Sequence, residues 1–158
     1  MDRLPVIDMA GIRELFERHA LRCTRQREQI YEALACTKSH PTADELFQAV
    51  RASEPGLSLA TIYNTLDAFT ECGLVRRLPC PSGSGPCRYD ADVSDHVHMA
   101  LRDGRLVDLP HDLSGQLLAS VPAGVLKELE RRFGVHVAGL NMQVLADPAP
   151  NGAQSTAS

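Results

Sequence analysis

The sequence predicts an α+β chain with a helical N-terminal domain and a small mixed C-terminal domain. Helical periodicity fills most of the first half of the chain, and a short basic strand follows it. Past the proline- and glycine-rich run 79–87, the pattern changes to short strands and short helices. The chain has 158 residues, of which 44% are hydrophobic, which is enough for two small packed domains.

Four amphipathic segments predict helices at residues 8–20, 24–36, 43–53 and 59–72. Thr42 and Glu45 form a capping box at the start of the third helix, and Gly73 ends the fourth. Residues 74–78 then predict a short strand that carries Arg76. Short helices followed by a basic β-ribbon are typical of a winged helix-turn-helix domain, which binds DNA.

The second half predicts a unit of order ββααβ. Its strands are expected at 96–101, 105–109 and 135–145, and its helices at 112–120 and 123–133. The pattern divides the chain into a winged-helix DNA-binding domain at 1–82, a hinge at 83–87 and a second, α+β domain at 88–146. The tail 147–158 is rich in Pro, Ala and Ser and is expected to be disordered.

Charge and cysteine content narrow the class of protein. The net charge of −4 argues weakly against a nucleic-acid partner, but Arg18, Arg22, Arg25 and Arg27 form a basic run without an intervening acid. No stretch resembles a signal peptide or a membrane span, so we expect a cytoplasmic protein with no membrane partner. Five cysteines in a reducing compartment predict no disulfide framework, and those in helical patterns (Cys23, Cys36 and Cys72) are expected to pack in the core.

The fourth helix has the two faces that a DNA-reading helix needs. Apolar residues form one stripe, whereas Thr61, Tyr63 and Asn64 lie mostly off it and could contact bases and phosphates. Arg76 follows on the predicted strand, and Arg25 begins an earlier helix whose N-terminus suits a phosphate. The alternative is an ordinary amphipathic surface helix.

His96 and His98 form the clearest candidate metal site. Residues i and i+2 of a strand point to the same face, so the two imidazoles can approach one ion. Asp90 precedes them, Asp108 ends the next strand, and His40 lies in a constrained loop before Pro41. If His40 joined the site, metal would link the two domains and select one relative orientation of them. The alternative is a pair of surface or packed histidines.

Four segments in this order and spacing resemble the ferric uptake regulator family, over about residues 10–145. They are HPTADEL at 40–46, LATIYNTL at 59–66, CGLV at 72–75 and DHVH at 95–98. The resemblance implies a homodimeric, metal-dependent transcriptional repressor that binds a palindromic A/T-rich operator on double-stranded DNA. It also implies that the domain at 88–146 is the dimerisation and metal-binding domain, and that this chain is not an enzyme.

The same resemblance implies a regulatory site that holds one divalent metal per subunit. Its ligands fall on His40, Asp90, His96, His98 and Asp108. Three nitrogens and two carboxylates favour Fe(II) or Mn(II), with Zn(II) possible. Two aspartates at the acid positions, and Asn64 after Tyr63, resemble the peroxide-sensing branch. In that branch bound Fe(II) leads to oxidation of a ligand histidine, here His40 or His96.

The chain departs from the family pattern in its cysteines. The family's structural zinc uses two Cys-x-x-Cys pairs, but residues 98–104 read HMALRDG and the C-terminal pair is absent. We therefore expect no four-cysteine zinc, and a dimer held by apolar packing. Other hypotheses are a metal-uptake regulator sensing iron, manganese or zinc, a metal-dependent enzyme with a two-histidine, one-carboxylate site, and a protein-interaction module.

Overall fold

The computed structural model describes residues 8–147 as two compact units, the first running to Ser94 and the second beginning at Asp95. The first unit begins with four helices: α1 (Met9–Arg18), α2 (Arg25–Ala35), α3 (Ala43–Val50) and α4 (Leu59–Glu71). Each begins directly after a residue whose side chain accepts a backbone N–H of the first turn: Asp8, Thr24, Thr42 and Ser58. The predicted capping box of Thr42 and Glu45 is confirmed.

The core of the first unit is built around three aromatic rings. Phe16, Tyr31 and Phe69 lie with ring centroids 5.6–5.7 Å apart, in edge-on or tilted pairs. Ile62 and Leu66 on α4 are fully buried beside them, as the apolar stripe predicted. The expectation for the cysteines was wrong in part, because Cys23 and Cys36 are exposed and only Cys72 is partly covered. Cys23 precedes Thr24, the N-cap of α2, and Cys36 is the C-cap of the same helix. Neither cysteine therefore lies within the helical turns that pack against the core.

Two short strands complete the first unit. β1 (Arg76–Leu78) pairs antiparallel with β2 (Arg88–Asp90), with Leu78 opposite Arg88 and Arg76 opposite Asp90. The hairpin follows α4 directly, so the predicted helical domain with a β-ribbon is confirmed. The predicted hinge at 83–87 differs from the structure, since these residues lie inside the loop that joins β1 to β2. Strand pairing therefore keeps β2 in the first unit, which extends to Ser94.

The second unit contains β3 (Val97–Leu101), β4 (Leu106–Asp108), α5 (His111–Ala119), α6 (Ala123–Phe133) and β5 (Met142–Ala146). The sheet order is β4-β3-β5, with β3 antiparallel to β4 and parallel to β5. Gly104 takes a left-handed φ of +83° in the turn between β3 and β4. The order ββααβ and the α+β fold class are thus confirmed.

The last strand is shorter than the alternation of residues 135–145 predicted. Gly134 ends α6 in a left-handed conformation, and the Val137 N–H donates to the Glu130 carboxylate rather than to a strand. The predicted disordered tail lies outside the described residues, apart from Asp147. Within residues 8–147 no helix is both long enough and apolar enough to cross a bilayer.

Candidate metal centre and nucleic-acid interface

His40 is buried and has an unusual backbone. It takes a left-handed φ of +46° directly before Pro41, where an extended conformation is the ordinary one. Such a conformation costs a non-glycine residue about 1–3 kcal/mol and persists only when its surroundings hold it. The Tyr89 N–H of β2 donates to the Pro41 carbonyl at 3.1 Å, which fixes this loop against the strand.

Asp90, the last residue of β2, lies beside the His40 ring. The Asp90 Oδ1 is 3.6 Å from the His40 Nδ1, and both side chains are at least nine-tenths buried. The same oxygen accepts the Asp92 N–H at 2.8 Å, which turns the chain after the strand. The first unit therefore presents one imidazole and one carboxylate together.

His96, His98 and Asp108 meet in the second unit. Asp108 lies directly opposite His98 in the β3–β4 register, so the strand pairing places its carboxylate beside that ring. The Asp108 Oδ1 is 3.3 Å from the His96 Nε2 and 3.4 Å from the His98 Nε2. The two ring centroids are 4.4 Å apart, closer than two positions along a regular strand, because His96 precedes β3.

Ser114 anchors the strand between the two histidines. Its buried Oγ accepts the Val97 N–H at 2.8 Å, linking α5 to the start of β3. His98 itself is fully buried. Buried polar groups of this kind need compensating partners or a metal ion. Imidazole nitrogens and carboxylate oxygens suit Fe(II), Mn(II) and Zn(II), so the chemistry of both groups of residues fits a divalent metal.

The candidate DNA-binding residues differ in how far they are exposed. Tyr63 and Asn64 face solvent on α4, and the Tyr63 hydroxyl donates to Asp44 on α3 at 3.3 Å. Partial desolvation of the hydroxyl and the nearby Asp44 carboxylate both raise the pKa of Tyr63, so the phenol stays protonated near neutral pH. The Thr61 hydroxyl lies 2.8 Å from that of Ser58 at the start of the same helix.

The two candidate arginines already have partners within the first unit. Arg25 forms an exposed ion pair with Glu54 at 2.7 Å. Arg76 donates to the Val93 carbonyl at 2.8 Å. A phosphate would have to compete with the Glu54 carboxylate for Arg25 and with the contacts that Arg76 already makes, the Val93 carbonyl among them.

Sequence reasoning missed Arg88 and Ser114. Arg88 donates to the His40 carbonyl. The sequence does not reveal this contact, because β2 is only three residues long and follows a run that is typical of a linker. Ser114 sits within a weakly amphipathic helix, where a serine carries no signal of burial. Only the tertiary structure gives either residue its role.

The model of the ferric uptake regulator family matches residues 18–121. The Peroxide-responsive repressor PerR of Staphylococcus saprophyticus is 38% identical over 91 residues, which cover 57% of this chain and 60% of that protein. The Peroxide operon regulator of Bacillus subtilis is 38% identical over 96 residues, covering 60% and 65%. The match thus spans less than two thirds of either relative's length.

Solved structures agree on the fold. The ferric uptake regulator of Vibrio cholerae superposes with a TM-score of 0.63 at 21% identity, covering 86% of this chain and 98% of that one. The Campylobacter jejuni peroxide stress regulator gives a TM-score of 0.60 at 22% identity, covering 89% and 96%. With the family model matching well over half of its residues, this chain belongs to the ferric uptake regulator family.

Proposed function

We propose that this protein is a metal-dependent transcriptional repressor that binds DNA as a homodimer and responds to peroxide. The observation that carries the proposal is the pair of histidine–aspartate clusters, His40 with Asp90 and His96 with His98 and Asp108. The relatives named for peroxide response, at 38% identity, support it.

One divalent ion per subunit is held by all five residues. Each cluster alone supplies only two or three protein ligands, fewer than Fe(II) or Mn(II) usually takes, so a shared ion would satisfy both. Fe(II) and Mn(II) are favoured by the mixed nitrogen and oxygen set, and Zn(II) remains possible. Because the clusters belong to different units, a shared ion would stabilise one relative orientation of those units and so raise DNA affinity.

Helix α4 reads the DNA. Exposed Tyr63 and Asn64, with Thr61 at the first turn, contact base edges or phosphates in the major groove. Arg25 and Arg76 contact the phosphate backbone on either side. A homodimer presents two such helices, which suits a palindromic A/T-rich operator.

The homodimer is supported by apolar side chains left exposed on the second unit. Val125, Leu129 and Phe133 recur every four residues along one face of α6, and they are 52%, 41% and 71% exposed. Leu145 of β5 is 72% exposed. A large exposed apolar surface of this kind marks an interface, and a second copy of the chain supplies a matching one. Without a four-cysteine zinc site, apolar packing carries the dimer.

Peroxide response follows from the ligand chemistry. Fe(II) held by these residues would promote the transfer of one oxygen atom from hydrogen peroxide to a ligand imidazole, and the rest of the peroxide would leave as water. An imidazole of His40 or His96 that gains one oxygen atom loses its lone pair for coordination, so metal affinity falls and DNA is released. Both rings are more than nine-tenths buried, which confines the oxidation to groups in contact with the ion.

The direct test is a peroxide challenge of the anaerobically Fe(II)-loaded protein, followed by trypsin and mass spectrometry. His40 is the only histidine in peptide 39–51, and His96 lies in peptide 89–102. We expect one added oxygen on these peptides, with fragmentation separating His96 from Met99, and parallel loss of operator binding. The exposed His136 should stay unmodified and serves as the internal control.

The alternative is a metal-uptake regulator that senses iron, manganese or zinc, favoured by the same donor set. It predicts a different result in the same experiment. Peptides 39–51 and 89–102 would remain unoxidised and operator binding would survive the challenge, yet binding would still require metal. That outcome would exclude the peroxide response and keep the metal-dependent repressor.

A further inference from the structure

Arg88 on β2 binds the backbone of a candidate metal ligand. Its Nη1 donates to the His40 carbonyl oxygen at 3.0 Å and to the Glu45 Oε2 at 3.0 Å. The Arg88 side chain is only 15% exposed and its bond to the His40 carbonyl is partly buried, whereas the Glu45 side chain is 53% exposed. Charge-assisted hydrogen bonds of this kind are stronger than neutral ones.

The loop that Arg88 holds would not keep its shape unaided. His40 has a left-handed φ of +46°, whereas a residue that precedes a proline prefers an extended conformation in a free chain. The Tyr89 N–H bonds to Pro41, and Thr42 forms a bridge with Arg88. Two consecutive residues of β2, Arg88 and Tyr89, therefore hold this loop, and Asp90 follows them on the same strand.

The position of Asp90 shows why a fixed His40 backbone matters for the candidate metal site. Its carboxylate lies 3.6 Å from the His40 imidazole, and it stands two residues beyond Arg88 on the same strand. Strand β2 thus binds the His40 carbonyl through Arg88. Two residues further along the same face it offers Asp90 as a second candidate ligand. A shift of the His40 backbone would separate its ring from Asp90.

Glu45 completes the arrangement from α3. Its Oε2 accepts the Thr42 N–H at 2.9 Å, closing the capping box, and accepts Arg88 as well. The carboxylate therefore aims the guanidinium and balances its charge. The link runs from helix α3 through Arg88 to the His40 backbone.

We propose that Arg88 is a positioning residue of the metal centre, holding His40 in its metal-binding conformation through the backbone carbonyl. The inference rests on the proposed function, since it needs His40 to be a ligand. It adds a residue that is not itself a ligand and that bears a positive charge.

Because Arg88 is positively charged, a through-space effect and a positioning role predict opposite changes in metal affinity when it is removed. If Arg88 acted on the ion only through space, removing a cation near a divalent metal would tighten metal binding. If Arg88 positions His40, its removal loosens a ligand and weakens binding. Loss of a residue that orients a metal ligand typically lowers affinity 10- to 100-fold.

The test measures the Mn(II) dissociation constant of the full-length protein by competition with a chromogenic chelator, for the parent and for Arg88→Ala. We expect an increase of about 10- to 100-fold for the variant. Co(II) supplies a second readout at saturation, because its visible absorption reports ligand number. The Arg88→Ala spectrum should approach that of His40→Ala.

Two further variants keep the test decisive. Arg88→Lys retains the charge and one donor, so it should recover part of the lost affinity, and it carries the test alone if Arg88→Ala does not fold. Arg77→Ala removes a neighbouring arginine of the same hairpin, one that contacts Tyr89 and Asp67, and should leave Mn(II) affinity unchanged.

Unchanged or tighter Mn(II) binding by Arg88→Ala, with the parent Co(II) spectrum, would overturn the inference. The His40→Ala variant separates this failure from that of the proposed function. If His40→Ala binds Mn(II) as the parent does, His40 is not a ligand and the proposed site is wrong. If His40→Ala is weakened and Arg88→Ala is not, only the role of Arg88 is wrong.

Discussion

The Asp108 carboxylate shows how much of the site a single residue position determines. It is opposite His98 across the β3–β4 pair, and one of its oxygens lies within 3.4 Å of both histidine rings. The sequence could predict this contact, because the His-x-His pattern and an acid ending the next strand of a hairpin are both local signals.

His40 shows the limit of prediction at the same scale. Its position before Pro41 predicts an extended residue, whereas its φ is +46°. The left-handed conformation depends on Arg88 and Tyr89, which are distant in sequence and were not assigned to a strand. The proposal that His40 is a metal ligand therefore rests on the family resemblance and on the neighbouring Asp90 carboxylate.

Cysteine reactivity also varies residue by residue. The Ser82 hydroxyl, 3.1 Å from the Cys80 sulfur, lowers the pKa of Cys80, with further help from the N–H groups of Ser82 and Gly85. The Glu28 carboxylate, 3.0 Å from the Cys23 sulfur, raises the pKa of Cys23. A lower pKa gives more thiolate near neutral pH, and the thiolate is the nucleophile. Limiting iodoacetamide should therefore alkylate Cys80 faster than Cys23, as followed by peptide mass spectrometry.

Ser82→Ala is the matched variant for this comparison. Removing the hydroxyl should raise the pKa of Cys80 and slow its alkylation near neutral pH, while the rate at Cys23 stays the same. Equal rates at the two cysteines of the parent protein would contradict the assignment.

At the level of elements, the N–H of the first residue of β3 is bonded to a side chain of helix α5. The Val97 N–H is satisfied by the Ser114 hydroxyl of α5, and both residues are buried. Ser114→Ala leaves that N–H without its acceptor, which costs about 1–3 kcal/mol. Urea unfolding of the metal-free protein should show this loss, with the slope against urea unchanged.

Ser120 offers the control from the same helix. It is exposed and its hydroxyl bonds only to the nearby Leu117 carbonyl, so Ser120→Ala should change stability by less than about 0.5 kcal/mol. Equal stability of Ser114→Ala and the parent would show that α5 does not support β3 in this way.

Elements that are marked by their own caps and apolar stripes could be predicted from the sequence. Elements whose bounds depend on pairing with another strand could not. The helices α1 to α4 carry their own caps and apolar stripes, and their observed bounds lie within three residues of the prediction. Strand β2 has three residues and exists because β1 pairs with it. The last strand was predicted too long, since alternating residues after Gly134 do not reveal that only Met142–Ala146 finds a partner in β3.

Across the whole molecule, the unit boundary escaped prediction for a related reason. A Pro- and Gly-rich run reads the same whether it joins two domains or two strands of a hairpin. Residues 79–87 are the second kind, so the first unit continues to Ser94.

The proposed homodimer can be tested by disrupting the exposed apolar face of α6. Leu129→Lys places a charge among the exposed apolar residues of α6, where a second copy would bury it without a partner. The variant should be monomeric in sedimentation equilibrium at concentrations where the parent is dimeric. Lys127→Glu alters another face of the same helix and should leave the dimer intact. A dimeric Leu129→Lys protein would place the interface elsewhere.

The proposed function requires that metal bound by these histidines and aspartates controls DNA affinity. The most direct measurement is fluorescence anisotropy on a duplex with an A/T-rich inverted repeat, selected from a random pool by Mn(II)-loaded protein and titrated with and without Mn(II). We expect Mn(II) to tighten binding roughly 5- to 150-fold for the parent and for His136→Ala. His98→Ala should remove this dependence. Equal DNA affinity with and without Mn(II), or a His98→Ala variant that responds as the parent does, would contradict it.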